Sequence, residues 1–260
     1  MRASHVAAAD AAAVSDYWYT DDQFTLQLDD PARAAVVRRR WHWFAGAIRE
    51  FARTRDVHRR LDVLDAGCGD GINLVGLRRI LDELGIPFRL IAIDLHRTRV
   101  ARARVGGRAE QRIAVASVTA LPFSPGAFDI VLCNHVIEHI PEAPRAADEI
   151  ARVLRPGGLA IIGVPNEGCA LAWLRNHVLQ RSILRSTDHV NFFTSRRLSG
   201  LLGDAGLSVD RVSAGGFFLP HLRLHALVSS TTGGRAALEW LGQLMPAQAA
   251  DLVAVATRAS

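Results

Sequence analysis

The period of apolar positions changes at about residue 61. Before it, Val37, Trp41, Phe44, Ile48 and Phe51 recur at spacings of four, three, four and three, which makes one apolar helix face. Asp29-Asp30-Pro31 supplies the start, an acidic cap with proline in the first turn, where its missing N–H costs no hydrogen bond. Arg38, Arg39, Arg40 and Arg49 fall on or beside the other faces. They read as a solvated face, with an anion-binding patch as the alternative. From residue 61 onward apolar strand segments alternate with helical stretches, predicting strands over about 61–66, 88–94, 111–117, 128–134, 158–164, 207–215 and 250–258. Such alternation implies an α/β fold with a largely parallel sheet and helices on both faces. The expected organisation is an N-terminal helical cap over 1–56 and one α/β domain over 57–260, with insertions at about 168–188 and 217–249. Helices are expected within the second insertion over 219–228 and 235–245. Both insertions leave the sheet near its carboxyl edge, where open α/β folds bind ligands, so together with the N-terminal helix they read as a lid over a substrate.

Within this pattern, Leu61-Asp62-Val63-Leu64-Asp65-Ala66 runs directly into Gly67-Cys68-Gly69-Asp70-Gly71. Glycines after a buried strand permit positive φ and close approach to a ligand, and the following helix aims free amides at the same place. A dinucleotide fingerprint would need its third glycine at position 72, which is Ile72. The G-x-G-x-G register, Asp65 before the loop and Asp94 closing Leu90-Ile91-Ala92-Ile93-Asp94 resemble class I S-adenosylmethionine-dependent methyltransferases. Four further segments are similar to that family in the same order: Leu121-Pro122-Phe123 running to Phe128-Asp129-Ile130-Val131-Leu132, Val136-Ile137-Glu138-His139-Ile140, Glu149-Ile150-Ala151-Arg152-Val153-Leu154-Arg155-Pro156-Gly157-Gly158, and His189-Val190-Asn191-Phe192-Phe193-Thr194. The last is similar to the branch that includes ubiquinone-pathway O-methyltransferases. The resemblance covers about residues 58–215.

This resemblance implies a Rossmann-like seven-stranded sheet whose last strand is antiparallel, and S-adenosyl-L-methionine as cofactor. Asp94 would take the ribose hydroxyls, Leu95 and His96 would flank the adenine, and Asp65, Gly67, Cys68 and Gly69 would meet the methionine end. Ser117 and Val118 stand where many family members carry an acidic residue for the adenine amino group, a departure that leaves a hydroxyl and backbone for that contact. Asn134 and His135 would lie beside the departing methyl group. Methyl transfer from a sulfonium is an in-line displacement governed by orientation, and a hydroxyl or amine acceptor also gives up a proton. Histidine is the natural base, and His189 or His135 is the candidate. His139 reads as a packing residue, while His177, His221 and His225 on the insertions are candidate substrate contacts.

No Asn-Pro-Pro-aromatic segment follows the fourth strand, and no Pro-Cys pair stands there, so acceptors in nucleic acids or glutamine amides are not expected. The remaining reading is a small-molecule acceptor methylated at oxygen or nitrogen, such as a quinone, sugar or secondary metabolite. A methyltransferase-like subunit that only binds a partner protein, or an NAD-dependent oxidoreductase, are the competing classes. Leu171, Leu174, Val178, Ile183 and Leu184 with Arg175, Arg181 and Arg185 form a basic amphipathic stretch, read as a lid helix with peripheral membrane contact as the alternative.

Composition narrows this further. The chain has 260 residues, 49% of them hydrophobic, enough for one large buried core. All 31 basic residues are arginine, which removes Schiff-base and P-loop lysine chemistry. A formal charge of +5 alone does not call for nucleic acid, since complete arginine usage also follows from a GC-rich genome. Three scattered cysteines, Cys68, Cys133 and Cys169, fit neither a disulfide framework nor a zinc site, and no metal is expected. The alanine-rich start lacks the features of a signal peptide, so the expected location is the cytoplasm.

Overall fold

A computed structural model of the chain describes residues 22–54, 59–105, 112–179 and 188–259. Tyr17, Trp18 and Tyr19 and the alanine-rich start lie outside the described residues. The strands are β1 (Leu61–Ala66), β2 (Phe88–Asp94), β3 (Arg112–Val115), β4 (Phe128–Asn134), β5 (Leu154–Pro165), β6 (Leu207–Phe217) and β7 (Ala249–Arg258). They form one sheet in the order β3-β2-β1-β4-β5-β7-β6, with β7 antiparallel to both neighbours and the pairs from β3 to β5 parallel. The expected fold is therefore present. β5 starts earlier than its apolar run because Leu154 already pairs with Phe128, ahead of a bulge that restores the register at Ile130 and Leu159.

Every residue of β1 and β4 is buried. Strands covered on both faces need continuous apolar runs rather than alternation, which is how these segments read. The helices are α1 (Gln23–Asp29), α2 (Pro31–Thr54), α3 (Ile72–Glu83), α4 (Arg97–Val105), α5 (Ala143–Val153), α6 (Ala170–Leu174), α7 (Ser195–Asp204), α8 (Leu222–Ser229) and α9 (Thr232–Leu244). On one face of the sheet Phe44, Ile48, Leu74, Leu77 and Val100 pack with Val63, Ile130 and Ile161. On the other, Ala147, Ile150, Leu198 and Leu202 pack with Leu64, Val131 and Ala160. Consecutive strand residues thus serve opposite cores, as the pleat requires.

The apolar stripe of α2 is buried against the sheet, with Phe44 and Ile48 fully covered. Gly76 on α3 makes room for Trp41: a Cβ there would lie 2.5 Å from the indole. The helix is part of a core, and its arginines are not all solvated. Arg38 and Arg49 are exposed, whereas Arg39 and Arg40 turn inward and pair with Asp251 at the start of β7. A second correction concerns the basic amphipathic stretch. Arg175 is buried while Trp173, Leu174 and Val178 are exposed, the reverse of the expected faces, because Glu167 and the ring of Phe218 receive the guanidinium. Arg181, Ile183, Leu184 and Arg185 lie outside the described residues. No helix among the described residues is long and apolar enough to cross a membrane.

Because α2 closes a core, Phe44→Ala is expected to cost about 3–5 kcal/mol in chemical denaturation, the range for deleting a fully buried aromatic ring. A loss below about 1 kcal/mol would show the helix to be a detachable cap.

Candidate active site

The end of β2 grips the glycine loop. Gly67 N and Cys68 N both donate to Ile93 O at 2.8 Å, Gly69 N donates to Asp94 Oδ2 at 2.8 Å, and His96 N donates to Asp94 Oδ1 at 2.9 Å. Gly67, Gly69 and Gly71 have φ of 92°, 53° and 90°, values that L side chains rarely adopt. The space beside two of them belongs to the protein itself. A Cβ on Gly67 would come within 2.3 Å of Val136, and one on Gly69 within 2.4 Å of the Arg99 guanidinium. Glycine is required here for packing as well as for the positive φ. Asp70 accepts from Gln23 N at 2.8 Å and pairs with Arg99, which fastens α1 to the loop.

Asp65 is fully buried, and neither carboxylate oxygen has a partner among the described residues. Burial, reinforced by the charge of Asp94, pushes its pKa up to about 8. Asn134 at the end of β4 is also buried with an unpartnered Oδ1, in space opened by Gly163 on β5, where a Cβ would lie 2.1 Å away. Leu95 stands 64% exposed immediately after Asp94, and His96 is exposed beside it. Ser117 shares a 2.8 Å hydrogen bond with Thr119 Oγ1 and accepts from Thr119 N, and Val118 is a core residue. The serine hydroxyl is therefore engaged locally. Cys68, Cys133 and Cys169 are buried, and burial pushes the Cys68 and Cys133 thiols up, as inert packing residues require.

The histidines separate by environment. His135 has φ 57°, and its ring nitrogens face two carboxylates, Nδ1 at 3.1 Å from Glu138 Oε1 and Nε2 at 3.5 Å from Asp251 Oδ1. Burial and the Arg40 charge oppose protonation, yet Asp251 and Glu138 outweigh them and hold its pKa above the ordinary value. His189 Nδ1 lies 2.5 Å from Glu167 Oε2, while Glu167 Oε1 accepts from Arg175 at 2.7 Å. Burial disfavours the Glu167 carboxylate, but His189 and Arg175 more than compensate and lower its pKa. An ionised Glu167 can only accept, so Nδ1 carries the proton and Nε2 is left as the basic nitrogen.

The His189 segment is placed by backbone contacts. Val190 N and Asn191 N donate to Glu138 O at 2.9 and 3.0 Å, and Asn191 Nδ2 reaches Ile140 O at 2.7 Å. This sets the His189 ring 4.7 Å from that of His139, edge to face. His139 is thus a neighbour of the site; burial and the adjacent histidines hold its pKa down against the pull of Glu138. Glu138, His139 and His189 bring donor atoms within 4.8 Å of one another, a grouping that cysteine spacing could not have signalled.

Beyond this cluster a cavity of about 360 Å³ opens at the carboxyl edge of the sheet, bounded by α2, the segment after β5, and helices α8 and α9. Glu167, Asp251 and His225 line it. His225 stacks on Phe218 at 4.1 Å, whereas His221 caps α8 and His177 stacks on Trp173 away from the cavity wall.

A family model described as a methyltransferase domain matches residues 37–212. The chain belongs to the methyltransferase family. It is 29% identical over 232 residues to the ubiquinone biosynthesis O-methyltransferase of Xanthomonas euvesicatoria, covering 85% of this chain and 87% of that one. A Mycobacterium tuberculosis protein named as an S-adenosylmethionine-dependent methyltransferase is 31% identical over 184 residues, covering 66% and 60%. The chain spans about half the length of other curated relatives, 44% of a Streptomyces fradiae transposon protein and 53% of a Mycobacterium methyltransferase. Among solved structures, the methyltransferase bound to the Trm112 activator in a Haloferax volcanii complex shares the fold, with TM-score 0.62 at 20% identity over 94% of this chain and 97% of that one.

Membership in this family makes the domain that of an S-adenosylmethionine-dependent methyltransferase, and the site suits such a donor. Asn134 Oδ1 and the unpartnered Asp65 carboxyl, which a neighbouring cation would ionise, are buried oxygens of a kind that suits an amino-acid ammonium. The Asp94 oxygens, each holding one amide, keep lone pairs for hydroxyls.

The raised pKa of Asp65 has a definite sign in stability. An aspartate ordinarily ionises near 4, so between about 4 and 8 the folded state holds a proton that the unfolded state has lost. Folding stability therefore falls as pH rises through that window. Asp65→Asn is expected to raise the melting temperature relative to wild type at pH 8, with the gain shrinking toward pH 4. An equal effect at both pH values would contradict a buried, proton-holding Asp65.

Proposed function

We propose that this methyltransferase moves the methyl group of S-adenosylmethionine onto an oxygen or nitrogen of a small molecule held in the cavity beside β5 and β7. S-adenosylmethionine supplies an electrophilic methyl group on a sulfonium. The site residues proposed for it are Asp65, Gly67, Cys68, Gly69, Asp94, Leu95 and Asn134, with Ser117 and Val118 contributing backbone at the adenine edge. Support for the acceptor side comes from the Glu167–His189 pair, because Glu167 lines the cavity while fixing the tautomer that leaves His189 Nε2 basic. His189 is then the proton acceptor, Glu167 its positioning residue, and Arg175 the second cationic partner of the Glu167 carboxylate. His135 was an equal candidate from sequence. Its ring nitrogens both face carboxylates, Glu138 and Asp251, which suits anchoring better than proton abstraction.

Aligning the acceptor atom with the methyl group contributes most of the rate, and proton removal adds about 10²–10⁴-fold. The test is transfer of labelled methyl groups from S-adenosylmethionine to a panel of phenols, hydroxyquinones and amines. With any accepted member, His189→Ala should lower kcat by about 10²–10⁴-fold while S-adenosylhomocysteine affinity is unchanged. Glu167→Gln should lower kcat less and shift the pH profile. Undiminished turnover by His189→Ala would rule out the base assignment.

A further inference from the structure

The charged groups around the acceptor cavity do not balance. Arg39, Arg40, Arg175 and Arg235 line it, against the carboxylates of Glu167, Glu239 and Asp251. The carboxylates are also shared. Asp251 serves Arg39, Arg40 and His135, and Glu167 serves Arg175 and His189. Arg39 reaches Glu239 as well, at 2.6 Å. The Nε groups of Arg39 and Arg40 are buried without a partner among the described residues. Arg235 donates to Ser229 O, Ser230 O and Thr232 Oγ1 at 3.0–3.1 Å, which joins α8 to α9 but leaves its positive charge without a carboxylate partner among the described residues. The rest of the wall is apolar, including Val36, Phe217, Phe218 and Leu238.

A surplus of guanidinium charge in a largely apolar cavity is unfavourable unless the ligand neutralises it. We propose that the acceptor is an anion: a small molecule with an apolar body and a carboxylate or phosphate group, the anionic group seated on Arg235 with the positive charge of Arg39 and Arg40 in the same wall. This deepens the proposed methyl-transfer reading and rests on it. The cavity volume of about 360 Å³ matches an acceptor of one or two rings. Planar forks of N–H donors fit both oxyanions, which are distinguished by the choice of probe.

The experiment uses the full chain saturated with S-adenosylhomocysteine, titrated calorimetrically with 1-naphthoate, 1-naphthyl phosphate and the neutral 1-naphthalenemethanol. At least one anion should bind about tenfold or more tighter than the alcohol, and the stronger of the two identifies the oxyanion. Arg235→Gln should remove that preference while leaving the affinities for the alcohol and for S-adenosylhomocysteine unchanged. Equal binding of alcohol and anions, or no anion binding to wild type that binds S-adenosylhomocysteine, would overturn the proposal, as would an intact preference in Arg235→Gln. Wild type is itself informative, so the test does not depend on the variant folding. Failure to bind S-adenosylhomocysteine is read separately and counts against the methyl-transfer reading instead.

Discussion

The Asp251 carboxylate, buried near the start of β7, holds Arg39 and Arg40 from α2 and faces His135 from the end of β4. Three parts of the chain that are far apart in sequence meet on this one group. Its cations drive its pKa well below the ordinary range although burial opposes ionisation. A buried ion cluster of this kind contributes little against an apolar replacement, but losing one member strands charge in the interior at about 3–5 kcal/mol. Its value is positional. It closes α2 against the sheet, fixes one wall of the acceptor cavity and sets the ring of His135 at the end of the strand that carries Asn134.

The carboxyl edge of the sheet is thereby divided. On the β1 and β2 side, backbone amides do the work: Ile93 O and Asp94 hold the glycine loop, and the buried oxygens of Asp65 and Asn134 Oδ1 have no partner among the described residues. On the β5 and β7 side, charged side chains do it: Glu167 orients His189 and Asp251 orients the arginines. Only two described residues other than glycine have positive φ, His135 and Asp188, and each borders the site between these halves. Backbone in such conformations persists where surrounding contacts over-determine it, as the hydrogen bonds of Val190 and Asn191 to Glu138 do here.

The strands and the glycine loop were legible in the sequence because buried parallel strands write continuous apolar runs and the loop needs glycine at fixed spacing. Asp65 and Asp94 were legible for the same reason, being tied to those boundaries. The orientation of long side chains was not. Arg39 and Arg40 lie on a helix whose polarity pattern called them solvated, and Arg175 in a stretch read as a basic amphipathic lid, yet partners 200 residues or so away for Arg39, and eight away for Arg175, draw them inward. Helical periodicity records only the face, and carries no signal for an acid arriving from another element. The Glu167–His189 pair was half legible: the histidine stood out as a base, while Glu167, within a stretch read only as lid, had no motif to mark it. Ser117 showed the converse, a departure from the family pattern visible in sequence whose hydroxyl the structure commits to Thr119.

The central claim is that the loop held by Asp94 binds an adenosyl donor. Calorimetric titration of the full chain with S-adenosylhomocysteine, with NADH as control, tests it most directly. Micromolar binding of S-adenosylhomocysteine, weakened by about tenfold or more in Asp94→Ala and absent for NADH, is the predicted result. No binding by the folded wild-type protein, or unchanged affinity in Asp94→Ala, would contradict it.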